Sequence, residues 1–167
     1  MSMIGAYARV TPAELHRALD DPEWALELVG GRMEAEAQEC PRPAPARCLD
    51  VDTAWDALGF LLRRAAFPVD IVHGEEPVPG ADDWGYGPPR YLTPERVRTA
   101  AGALAEISGE RLTSGVTPGD LAAAEVYPAI VWERGMPLDF VSEHYELLRP
   151  FFRAAADEGD GMLMWLG

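Results

Sequence analysis

The sequence predicts a mixed α/β fold, a single domain of residues 1–167 with a small mixed sheet of four or five short strands and helices packed around it. Three observations lead there. Short β-like apolar segments lie at both chain ends and at two internal places, separated by longer stretches of helical spacing. Four helix openings share one chemistry, a Thr or Asp followed directly by Pro. At 167 residues one domain can bury a real core, and no internal repeat or low-complexity block divides the chain.

The elements follow in order. Residues 3–10 alternate, with Ile4, Ala6, Ala8 and Val10 on one face and Gly5, Tyr7 and Arg9 on the other, which predicts a strand. Thr11-Pro12-Ala13-Glu14 opens a helix: Thr11 caps, Pro12 suits the first position and Glu14 closes a capping box. Asp21-Pro22-Glu23 starts a second helix, reaching about residue 35. Residues 39–49 hold three prolines and both cysteines and predict a loop. Asp50 or Asp52 is expected to cap a third helix to about residue 66, with Trp55, Leu58, Leu61, Leu62 and Ala65 as its apolar face.

Residues 67–73 predict a short strand, and residues 74–90 a long irregular loop rich in Gly, Pro, acids and aromatics. Thr93-Pro94-Glu95 and Thr117-Pro118-Gly119-Asp120 open the next two helices. Residues 126–132 look β-like, with Pro128 pushing them toward an edge. A last helix begins near Leu138, and Pro150 inside it predicts a kink or a break. Glycines at 159 and 161 end it, and residues 162–166 form a closing strand expected to share a sheet with the first.

Charge excludes several functions. There are 14 Lys+Arg, all Arg, against 28 Asp+Glu, for a net charge of −14. Nucleic-acid binding and polybasic membrane contact both need the opposite sign. The absence of Lys and Asn reads as the codon bias of a GC-rich genome, and without Asn there is no N-glycosylation acceptor. The start is not a signal peptide and no apolar run is long enough to span a bilayer, so a cytoplasmic location is expected. The acids concentrate in two places. Residues 20–39 hold seven acids and one Arg, and residues 65–89 hold five acids and no base.

Catalytic signatures are missing. No Ser lies in Gly-x-Ser-x-Gly, no Lys is present for a phosphate-binding loop, and Gly85-Tyr86-Gly87-Pro88-Pro89 has prolines where an anion cradle needs N–H groups. Cys40 and Cys48 could bridge, but two cysteines in a chain with no export signal are expected to be free thiols, and a zinc site wants closer pairs and further Cys or His ligands. No catalytic residue, cofactor or metal is assigned. His73, Glu75, Glu76, Asp82 and Asp83 are the best chemical candidates, either as a cation or acid–base site or as a solvated acidic loop. Trp84, Tyr86, Arg90 and Tyr91 either line a pocket or interface, or fold back and pin the loop to the core. His144 reads as a satisfied boundary histidine, His16 as a surface one, and Trp55 and Trp132 as core.

Four stretches carry a resemblance. Residues 3–15, Leu49-Asp50-Val51-Asp52-Thr53-Ala54-Trp55, Gly85-Tyr86-Gly87-Pro88-Pro89-Arg90-Tyr91-Leu92-Thr93-Pro94-Glu95 and Glu125-Val126-Tyr127-Pro128 resemble, in order, the YfbM-like family of bacterial domains of unknown function. Thr53 stands where members often have Lys, and no His follows near Leu58, so no role of that His carries over. The resemblance implies a single cytosolic domain with a small sheet flanked by helices, and no established activity. The expected function is that of a non-enzymatic binding protein with an acidic surface, inhibitor- or immunity-like toward a basic protein. The alternatives are a small-molecule- or metal-binding enzyme using His73 and the acidic loop, and a structural subunit.

Overall fold

A computed structural model of the chain describes residues 2–39 and 45–167. Its centre is one antiparallel sheet in the order β2-β1-β5-β4-β3, built from β1 (Gly5–Val10), β2 (Cys48–Asp50), β3 (Glu76–Pro77), β4 (Arg90–Leu92) and β5 (Gly161–Leu166). The terminal strands do share the sheet. They lie side by side with Tyr7 opposite Met164 and Ala8 opposite Leu163. The helices are α1 (Pro12–Asp20), α2 (Pro22–Gln38), α3 (Trp55–Arg64), α4 (Pro94–Glu106), α5 (Gly109–Thr113), α6 (Pro118–Ala123), α7 (Ala129–Glu133) and α8 (Asp139–Glu158). The mixed α/β single domain expected from the sequence is what forms, with every strand pair antiparallel.

Both faces of the sheet are covered, which is why β1 reads as nearly continuous apolar sequence and is buried at every residue. On the inner face Tyr7, Leu92, Met162 and Met164 pack with Leu58, Leu104, Leu148 and Phe152 from α3, α4 and α8. On the outer face Ala8, Val10 and Leu163 pack with Leu15 and Ala18 of α1, Ala25 and Val29 of α2, and Val78. Arg9 ends the inner row of β1. Its guanidinium donates to Asp160 at 3.0 and 3.1 Å, with both residues buried.

The Pro-opened helices form as their caps dictate. Thr11 and Glu14 complete the capping box, Asp21 caps α2, Thr93 caps α4, and Thr117 with Asp120 boxes α6. Elsewhere the chain differs from expectation. Residues 67–73 form turns, because Asp70 Oδ1 accepts from the amides of Val72 and His73 and so holds the backbone out of a strand. Val69, Ile71 and Val72 are buried all the same. In residues 126–132 Pro128 opens the short helix α7 instead of a strand.

The helix α8 runs unbroken past Pro150, which sits on its solvent side where water can meet the freed carbonyl. Residues 48–49, read as loop, belong to β2, and residues 76–77 of the acidic loop belong to β3. Asp50 ends β2 and accepts from the Asp52 amide, so a 3-10 turn at Asp52–Ala54 leads into α3 without a side-chain cap. The pair Cys40 and Cys48 involves Cys40, which lies outside the described residues. Cys48 is half-buried in β2, and burial, then the Glu36 charge, pushes its thiol up to about 11.

Candidate functional site

Residues 74–90 cross from the inner layer to the outer face, and their path is set by glycine and proline. Gly74, at φ +87°, turns the chain where an added Cβ would lie 2.9 Å from both Arg90 Cβ and Met164 Sδ. The chain then pairs with itself, Glu76 opposite Tyr91 and Pro77 opposite Arg90. Val78 plugs the outer core and Trp84 packs edge-on against Trp165 at 5.3 Å.

The return to β4 is out of register. Arg90 lies opposite Met164, so a regular strand would place Pro88 opposite Leu166. Pro88 and Pro89 have no N–H to give a ladder. The amide that reaches the Leu166 carbonyl is instead that of Tyr86, at 2.9 Å, and the chain between arches off the sheet. Gly85, at φ +143°, permits the close approach, since a Cβ there would lie 2.8 Å from Gly167 Cα and Leu166 O.

The predicted site residues fall into separate groups. His73 packs edge-on against Trp55 at 5.9 Å, and its Nδ1 lies 3.6 Å from Asp70, not from the loop acids. Burial would raise the Asp70 carboxyl, but its hydrogen bonds from the His73 side chain and amide and the Val72 amide hold it below the usual range. Glu75 is engaged by Arg96, which donates to its two oxygens at 2.7 and 2.9 Å. Glu76 is exposed on β3. Arg90 donates to the Gly74 carbonyl at 3.1 Å and to the Glu75 carbonyl at 2.8 Å. Trp84 and Tyr91 fold back onto the outer core, whereas Tyr86 stays 43% exposed. Among the described residues no three His, Cys, Asp or Glu side chains are placed to hold a metal ion together.

Asp82 and Asp83 go elsewhere. With Gly80 and Trp84 they form one wall of a groove of about 270 Å³, and Asp20, Asp21, Glu23 and Leu26 form the other. The two acid-rich stretches, separated by some sixty residues of chain, therefore meet at one surface. All five carboxylate residues are exposed, and Leu26, which lines the same groove, is 48% exposed. Asp20, Asp21, Glu23 and Leu26 are the site residues that motif reading missed. Their signal was the local charge density of residues 20–39, which no catalytic pattern marks.

The remaining assignments hold their places. His16 is exposed beside Asp20 at 3.6 Å, His144 Nδ1 lies 2.8 Å from the Phe140 carbonyl, and Trp55 and Trp132 are buried. Among the described residues no helix is long and apolar enough to cross a membrane.

Comparison with known proteins agrees with this architecture. The crystal structure of YfbM from Escherichia coli, a protein of unknown function, superposes with a TM-score of 0.62 at 17% identity, covering 99% of this chain and 100% of that one. At that identity the likeness is one of fold. No curated protein matches the chain. The profile of DUF1877, a domain of unknown function, matches residues 1–165, and the chain belongs to that family.

Proposed function

We propose that this protein is a non-enzymatic binding protein of the cytoplasm whose acidic outer surface docks a basic protein, as an inhibitor or immunity protein would. The observation that carries the reading is the meeting of Asp20, Asp21 and Glu23 with Asp82 and Asp83 around Leu26 and Trp84. Carboxylates at the rim speed encounter with a cationic partner and reject other surfaces of like charge. The exposed Leu26 and the half-buried Trp84 supply apolar area within the same groove. The net charge of −14 adds to the steering at long range.

The metal-dependent enzyme has less support. Its acids are dispersed: Glu75 is committed to Arg96, while Asp82 and Asp83 line the groove with α2. The test is affinity capture with the wild-type chain and with a variant carrying Asp20→Asn, Asp21→Asn, Glu23→Gln, Asp82→Asn and Asp83→Asn. A basic protein held by the wild type and lost by the variant supports docking. Equal recovery on both rejects it and favours a structural subunit.

A further inference from the structure

The helix α2 is apolar on more than one side, and one of those sides is left uncovered. Ala25 and Val29 are buried against the outer core, and Trp24 and Leu28 pack partly into the same cluster. Helical spacing puts Leu26, Gly30, Met33 and Ala37 in a separate line along the helix, and all four are exposed. Among the described residues five large apolar side chains are exposed, and two of them, Leu26 at 48% and Met33 at 41%, belong to this line. Leu26 lines the acidic groove, while Met33 and Ala37 line a recess of about 150 Å³ with Cys48, Leu49 and Asp50. The line therefore joins a depression at the start of α2 to one at its end.

Gly30 is the unusual member. Glycine is the poorest helix former after proline, yet Gly30 and Gly31 stand side by side in the middle of α2. A Cβ added at either would meet nothing within 4 Å, so the packing of the chain does not require glycine at these places. Their effect is to leave the helix backbone bare between Leu26 and Met33. A small residue flanked by two large ones admits the close approach of a second helix, which crosses where the small residue sits. Beside the line, Glu23, Glu27 and Glu34 make an exposed row of carboxylates. The one base of the helix, Arg32, is turned inward to Glu14 and the Arg9 carbonyl.

We infer that this flank of α2 seats one amphipathic helix of a basic partner, crossing at Gly30 with its apolar side on Leu26 and Met33 and its Arg or Lys residues facing Glu23, Glu27 and Glu34. That seat rests on the docking of a basic protein at the acidic groove and adds the shape of the docked segment. Charge selects this occupant over a second copy of the chain. A twofold contact uses the same patch on both subunits, so two rows of glutamates would share one interface with no base turned toward them. A helix with basic flanks turns the same row into a guide for encounter and register. An extended segment fits less well, because the backbone groups of α2 are already bonded within the helix and a docked strand needs a sheet edge.

The test is fluorescence anisotropy of the intact protein with a labelled peptide of about 15 residues, close to the length of α2. The peptide is built from Leu, Ala and Arg, with Leu on one helical side around a central Ala and Arg on both flanks. A scrambled peptide of the same composition keeps the charge and loses the sidedness. The wild type is expected to bind the sided peptide saturably and the scrambled one at least about tenfold more weakly. Gly30→Leu covers the crossing point, keeps every carboxylate and favours the helix. It should weaken the sided peptide by about tenfold or more with no fall in melting temperature. The five-site neutral variant separates the two readings. Binding weakened there but unchanged by Gly30→Leu overturns the helix seat and leaves the acidic groove standing. Binding weakened by Gly30→Leu but not by the five-site variant supports the seat and counts against the groove. Equal affinity for the sided and scrambled peptides, or no saturable binding of the sided one, overturns the seat.

Discussion

The two faces of the sheet do different work. The inner face holds the large buried side chains, among them Leu58, Leu104, Tyr145, Leu148 and Phe152. The outer face rests on smaller residues, Ala8, Val10, Ala18, Ala25 and Val29, under two helices and the arching loop. Arginine divides the same way, though net charge does not. The inner helices α3, α4 and α8 carry Arg63, Arg64, Arg96, Arg98, Arg149 and Arg153 among eight acids, whereas α2 has Arg32 alone against Glu23, Glu27, Glu34 and Glu36. Arg32 itself is turned inward to Glu14 and the Arg9 carbonyl. Substitutions inside the inner layer should therefore cost stability, and those on the outer surface should change binding at little structural cost.

The largest effect is expected from Phe152→Ala. Phe152 is fully buried and packs edge-on against Tyr7 at 6.1 Å. Emptying that space should cost about 3–5 kcal/mol in urea unfolding. Asp160→Asn comes next, because it leaves the buried Arg9 without its counter-charge. About 3 kcal/mol is expected, near the low end for a broken buried pair, since Asn keeps a hydrogen-bond acceptor. Thr11→Ala removes the bond accepted from the Glu14 amide and should cost about 1 kcal/mol. A loss from Thr11→Ala as large as that from Phe152→Ala would break the contrast between the faces.

Acid should reach the outer face through Glu14. Burial raises its carboxyl, but the Thr11 amide and Arg32 more than offset that and hold it below 4.5. A carboxyl depressed in the folded state stabilises above its unfolded pKa, and that contribution is lost as pH falls through the folded value. Stability should therefore fall as pH drops below 4.5, and Glu14→Gln should flatten that part of the profile measured by thermal melts. Smallest of all, neutralising any one of Asp20, Asp21, Glu23, Asp82 and Asp83 should move stability by no more than about 0.5 kcal/mol, because the groups are exposed and Asn still caps α2 at position 21.

What was legible in the sequence follows from how local each cause is. The capping chemistry at Thr11, Asp21, Thr93 and Thr117 is contained within four residues, so those helix starts could be read directly. The strands β2, β3 and β4 span three, two and three residues, too few to show a period, and exist through partners far along the chain. Residues 67–73 and 126–132 are apolar because Val69, Ile71, Val72, Val126 and Trp132 are buried, and burial alone does not tell a strand from a turn or a short helix. The candidate site was legible as charge density but not as geometry. Nothing local says that Glu75 will be taken by Arg96, or that Asp82 and Asp83 will face Asp20, Asp21 and Glu23 instead of His73.

The docking account is tested most directly by capture from the native host at about 0.05 M and about 0.5 M salt, with the wild-type chain beside the five-site neutral variant. The account predicts a basic protein on the wild type at low salt, released at high salt and absent from the variant at both, with the variant still unfolding cooperatively as a folded chain. The same protein recovered equally by wild type and variant at both salt levels would contradict it.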